Sequence, residues 1–246
     1  MKNTGFFDGM KKRKITYLVI GIVLFLGIGL GGYYFYQRHQ ARSLYQQAQT
    51  AYQQKNYPQA VELCRKITPG QLRMLPKLEQ ANTLIHAGNC LYEMDKYSDS
   101  IDYFARAAAI VEKNDLLTHI AAPTQLYNRW GEGYEAGKQY SKAASIYSRG
   151  ISQIIKAYGA SYPGLTLLRA RLGEIYLCLG DYKKSLTYWE KVIEDKNYIN
   201  EQSDSAKVMI YRFLTTVYCH NDQYNDALNY CNQWMVWAQK CYGEAS

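Results

Sequence analysis

Five copies of one short pattern, each built on small residues and ending near a tyrosine, constrain this 246-residue chain more than any other feature. The copies run from Gln47 to Ala60, Ala87 to Ser100, Gly131 to Ala143, Gly173 to Ser185 and Leu214 to Ala227. Their tyrosines, Tyr57, Tyr97, Tyr140, Tyr182 and Tyr224, stand 40, 43, 42 and 42 residues apart. A period of that length marks stacked supersecondary units, none of which can bury its apolar face alone. Within each copy two small residues are twelve positions apart: Ala48 and Ala60, Gly88 and Ser100, Gly131 and Ala143, Gly173 and Ser185, Thr215 and Ala227. Helices packed at about 8–10 Å between axes have little room for side chains where they touch. The spacing therefore predicts a tight antiparallel hairpin in each copy. Leu91, Tyr134, Tyr176 and Tyr218, with Phe104, Tyr147 and Trp189, are expected to fill the space beside the crossings.

The pattern resembles the tetratricopeptide repeat (TPR), whose signature runs W-x₂-L-G-x₂-Y, then A-x₃-F, then P. Trp130-Gly131 with Tyr134, and Leu172-Gly173 with Tyr176, carry the match most fully. The period exceeds the usual 34 residues by about eight, which resembles the kinesin light chain type of repeat. The segment from Tyr158 to Pro163 is similar to the connecting loop of that type. The resemblance covers about Ala41 to Cys241; Cys64 and Cys231 replace the expected aromatic, and Ala51 the expected tyrosine. It implies an all-α chain, a right-handed α-solenoid of about five TPR-like helix hairpins. First helices line the concave side of such a stack, which implies a peptide-binding groove formed by Asn89, Tyr92, Asn128, Arg129, Arg171 and Arg212. Family members that hold peptide C-termini clamp the carboxylate with Lys and Asn. Here arginine, which can grip a carboxylate with two parallel hydrogen bonds, stands beside asparagine. The competing reading pairs the arginines with Glu132 and Glu174 and leaves the groove without a ligand.

From Ile15 to Tyr36 the chain has 22 residues without a charge. At 1.5 Å per residue such a run is long enough to cross a hydrocarbon core of about 30 Å, so one transmembrane helix is expected ahead of the repeats. The run is longer than a signal-peptide core and no A-x-A site follows it, which favours an uncleaved signal-anchor. Lys11, Lys12, Arg13 and Lys14 precede it, and the positive-inside rule then puts the N-terminus in the cytoplasm. The expected domains are a basic N-terminus over 1–14, a transmembrane helix over 15–36 and a TPR-like repeat domain over 37–246. The expected location is a bacterial inner membrane with the C-terminal domain extracytoplasmic. Gly27 and Gly31 form a GxxxG, which either lets two membrane helices approach or is ordinary membrane glycine.

Net charge is +8, but beyond residue 14 there are 24 basic and 20 acidic residues, a net of +4. That gives no nucleic-acid signature. The six cysteines form no CxxC and read mostly as small core residues. His86 with Cys90, and Cys219 with His220, have metal-like spacing, yet two ligands make no site. No cofactor and no metal are expected, and no clustered nucleophile and base suggests an enzyme. The chain is read as a membrane-anchored scaffold binding protein partners or peptide segments, in cell-envelope assembly, secretion or chaperone-linked quality control. The alternatives are an organelle-surface receptor with cytosol-facing repeats and a structural homo-oligomer. A C-terminal helix apolar on several sides, through Leu228, Trp234, Met235 and Trp237, adds self-association as a further expectation.

Overall fold

The computed structural model describes the backbone of residues 4–243, with side chains for residue 27 and residues 29–243. Among the described residues there are twelve α-helices, one 3₁₀ turn and no strand. They are α1 (Thr4–Gln53), α2 (Tyr57–Lys66), α3 (Pro69–Met74), α4 (Lys77–Glu93), α5 (Tyr97–Lys113), α6 (Pro123–Ala136), α7 (Tyr140–Tyr158), α8 (Leu165–Cys178), α9 (Tyr182–Glu194), α10 (Lys196–Glu201), α11 (Asp204–His220) and α12 (Tyr224–Tyr242). Five hairpins result, formed by the end of α1 with α2, then α4 with α5, α6 with α7, α8 with α9, and α11 with α12.

Each repeat tyrosine is the first residue of the second helix of its hairpin. Two positions earlier the backbone is left-handed: Lys55, Asp95, Lys138, Gly180 and Asp222 all have φ between 54° and 74°. This ends the first helix by a Schellman turn, in which an N–H beyond the left-handed residue reaches back to a carbonyl of the last helical turn. Asn56, Lys96, Gln139, Asp181 and Gln223 donate in this way to the carbonyls of Ala51, Leu91, Tyr134, Tyr176 and Tyr218. The side chains of Asn56 and Asp181 then cap the following helix.

The small residues of the first helices receive the large aromatics of the second. A Cβ at Gly88 would lie 2.8 Å from the Phe104 ring, at Gly131 2.2 Å from Tyr147, and at Gly173 2.6 Å from the Trp189 indole nitrogen. Phe104, Tyr147 and Trp189 are fully buried. The aromatics therefore sit on the crossings rather than beside them. The Ser185 hydroxyl donates to the Gly173 carbonyl at 2.7 Å, closing the fourth crossing from the other side. Neighbouring hairpins pack through α2 on α4, α5 on α6, α7 on α8 and α9 on α11, which makes the array a solenoid.

The N-terminal reading is corrected. The apolar run over 15–36 is not a separate element but part of α1, one unbroken 50-residue helix. Its later portion belongs to the array: Ala41, Ala48 and Ala51 are buried, the Gln71 amide donates to the Gln37 and Gln40 side chains, and Arg42 pairs with Glu79. Among the described residues no helix is long and apolar enough to cross a membrane. The assignment to a bacterial inner membrane, with a single pass and an extracytoplasmic repeat domain, is overturned by that finding. The side chains of residues 15–26 and 28, and of Lys11 to Lys14, lie outside the described residues.

All six cysteines are free thiols, but only Cys64 and Cys90 are buried, with the thiol of each pushed up to about 12 by burial. Cys178 and Cys219 are exposed, so the reading of most cysteines as core residues holds for two.

Candidate partner-binding groove

The first helices of the second, third and fourth hairpins carry a polar ladder. Glu93, the last residue of α4, pairs with Arg129 of α6 at 2.8 Å. Glu132 of α6 pairs with Arg171 of α8 and also accepts from the Tyr92 hydroxyl at 2.8 Å. Arg171 reaches Glu174 one turn further on, at 3.4 Å. The Arg129 guanidinium also lies over the Tyr92 ring, 4.8 Å from its centroid, where the ring face attracts a cation. Each rung thus joins a carboxylate of one repeat to an arginine of the next.

Four of the six expected groove residues are placed by this ladder or beside it. Tyr92, Arg129 and Arg171 converge on Glu132 and Glu93. Asn128 stands one helical turn before Glu132 on α6 and is buried, with its Oδ1 lacking a protein partner. Asn89 is half-buried on α4. Arg212 is exposed on α11, its guanidinium 5.6 Å from the Phe213 ring centroid, and among the described residues it forms no ion pair. Of the three arginines it is therefore the one whose charge is uncommitted.

Burial sets the chemistry of the ladder. It pushes the Glu174 carboxyl above its ordinary value of 4.5; Arg171 opposes the shift, and Glu135 and Glu132 add to it. Burial works against the charge on Arg171, yet Glu174 and Glu132 hold its pKa above the usual arginine value. Tyr92 is raised by burial and by its hydrogen bond to Glu132. A carboxyl raised on folding contributes stability below its unfolded value and loses it as pH rises through its folded value. Glu174→Gln is therefore expected to melt above the native chain at about pH 7, and the difference should vanish below an ordinary carboxylate pKa. Thermal melts across that range check the sign.

Next to Arg171 and Glu174 a cavity of about 330 Å³ opens between α8 and α11, with Tyr198 of α10 on its rim and Leu167, Met209 and Phe213 among its apolar walls. No repeat signal marks α10, whose Asp195 caps it by accepting from the Tyr198 N–H. Glu93 was also missed, although Glu93 and Arg129, and Glu132 and Arg171, recur at close to the repeat period.

The pairs with metal-like spacing have packing roles. His86 is stacked between Tyr45 and Tyr52, with centroids at 6.2 and 5.2 Å, and burial lowers its pKa. His220 stacks on Tyr182 at 3.9 Å. Among the described residues no three His, Cys, Asp or Glu side chains gather as metal ligands would.

Stacked helix hairpins with a polar ladder along the wall of first helices define a TPR-like helical repeat protein. Residues 27–224 match the family described as soluble NSF attachment protein, SNAP, and the chain belongs to that family. Its fold is similar to that of BtubC (BKLC) from P. vanneervenii, at TM-score 0.59 and 12% identity over 87% of this chain and 94% of that one. TPR-like repeats of kinesin light chain type from Podosopora anserina superpose at TM-score 0.58 and 16% identity, over 82% and 97%. MamA gives 0.58 and 14%, over 84% and 97%. At such identities the likeness shows the fold alone. These neighbours are helical repeat proteins, and none of the matches shows a catalytic family.

Two curated relatives share shorter stretches. Tonsoku-like protein of Drosophila melanogaster is 31% identical over 80 residues, and RxLR effector protein SFI4 of Phytophthora infestans 28% over 78. Each match covers 32% of this chain, which spans 6% and 23% of those relatives' lengths.

Proposed function

We propose that this protein is a helical-repeat scaffold whose concave wall holds an extended or helical segment of a protein partner. Asn89, Tyr92, Asn128, Arg129, Arg171 and Arg212, carried by 37–246, are the proposed contact residues. The observation that carries the reading is the cavity beside the ladder: apolar walls for a side chain, and committed charges at its edge that orient whatever enters. The family's name describes attachment to NSF, which supplies one candidate partner and fits a role in secretion or chaperone-linked quality control. Because Arg129 and Arg171 are already paired, a partner's carboxylate is expected to meet Arg212. The outer side of α12 is a second proposed association surface, independent of the groove.

Crosslinking with mass spectrometry on the full chain and purified NSF, or proteins retained from an extract, tests the groove. Crosslinks to the first helices are expected, and Arg212→Ala should weaken retention several-fold while leaving the melting temperature unchanged. Crosslinks confined to the second helices would overturn the groove, and equal retention by Arg212→Ala the role of that residue.

A further inference from the structure

α12 closes the C-terminal end of the described array, and one of its sides is packed. Ala227 is buried, Tyr230 stacks on Tyr211 and Tyr218, and Trp237 lies 4.6 and 4.7 Å from the ammonium groups of Lys207 and Lys240. Trp234 and Trp237 are both half-buried. The outward side is made by other residues. Tyr224, Leu228, Met235, Val236 and Tyr242 are all more than half exposed, from 53% to 73%.

Four of these exposed groups and two half-buried neighbours fall into register. Tyr224, Leu228, Cys231, Met235, Ala238 and Tyr242 follow steps of four, three, four, three and four, the spacing of the apolar seam by which one helix packs along another. That sequence of steps reads the same in both directions. A second α12 running antiparallel therefore places Tyr224 opposite Tyr242, Leu228 opposite Ala238 and Cys231 opposite Met235, with the largest aliphatic side chain facing the smallest. The seam holds no charged residue. Asn225, Asn232 and Gln239 flank it, and the only charges on α12 are Asp226 and Lys240, the latter paired with Asp204. A seam without charge adds no like-charge pair of its own when two chains of net charge +8 meet.

We infer that two copies of this chain associate through antiparallel α12 helices about a two-fold axis, an isologous contact in which each copy gives the same surface. This rests on α12 being the association surface proposed above. The helix has 19 residues, about 28 Å. A pair of that length buries on the order of 1,000 Å², at the lower end for specific interfaces, so a weak dimer with a Kd of roughly micromolar order is expected.

Sedimentation of the full chain across a concentration series should show a monomer–dimer equilibrium. Leu228→Glu should raise the Kd by about 100-fold or more with an unchanged circular dichroism spectrum and melting temperature. Adding Ala238→Lys to that variant should restore the dimer, because the two positions face each other only between copies. Oxidised Met235→Cys should yield a dimer linked between positions 231 and 235. A chain that stays monomeric at about 1 mM, far above that Kd, overturns the proposal. So does a dimer indifferent to Leu228→Glu, or a native Cys231 to Cys231 link, which a parallel pair would give. Capture of a different protein by the same face, with the chain itself monomeric, would overturn self-pairing while leaving the association surface intact.

Discussion

Leucine in place of Gly173 is expected to lower the melting temperature by about 6–12 °C, the equivalent of about 3 kcal/mol for an array of this size. A Cβ alone would stand 2.6 Å from the Trp189 indole nitrogen and 2.8 Å from its neighbouring ring carbon. Trp189 has no exposed surface and is walled in by the cluster that includes Ala170, Val192, Ile210 and Leu214, so the ring cannot step aside without opening its own packing. The Ser185 hydroxyl, bonded to the Gly173 carbonyl at 2.7 Å, would be pulled off at the same time. Differential scanning calorimetry reads the shift directly. A melt within about 1 °C of the native chain would show that this crossing tolerates a side chain and that the assigned contact is wrong.

Glu132→Ala is expected to cost about 2–3 kcal/mol, because it strands two groups together. Arg171 loses one of its two carboxylates, and the Tyr92 hydroxyl loses its acceptor at 2.8 Å. Glu132 is 15% exposed and Arg171 30%, so solvent replaces these partners only in part. Glu132→Gln should recover part of the loss, since an amide oxygen still accepts from Tyr92 while bringing no charge to Arg171. The double variant Glu132→Ala with Arg171→Met should be less destabilised than the sum of the two single variants. Additivity in that cycle would remove Glu132 from the centre of the ladder.

The repeat was legible because its period is carried by residues with a mechanical reason to recur. Tyrosines mark the start of each second helix, and glycines leave room for Phe104, Tyr147 and Trp189. The turns themselves were harder to see. Four of the five left-handed positions hold Lys or Asp, so the usual glycine signal is present only at Gly180. The apolar run over 15–36 was read as an element of its own because its length is what stands out, whereas α1 continues unbroken from Thr4 to Gln53 and its later part, through Gln37 and Gln40, bonds to α3. The arginines were picked out by position, and the competing pairing with Glu132 and Glu174 is the one Arg171 makes, but the pairing of Arg129 with Glu93 depends on which carboxylate lies one repeat away. Spacing along a single helix does not show that.

Because every unit touches only its neighbours, such an array behaves as a one-dimensional chain of coupled springs. The rungs from Glu93 to Arg129 and from Glu132 to Arg171 both meet on the third hairpin, so that hairpin is tied through this wall to both of its neighbours. A partner segment that draws Arg171 away from Glu132 slackens that tie; one that bridges them stiffens three hairpins together. If the wall is occupied as proposed, occupancy and flexibility of the scaffold would be coupled, and the coupling would be read out wherever the two ends of the array are held.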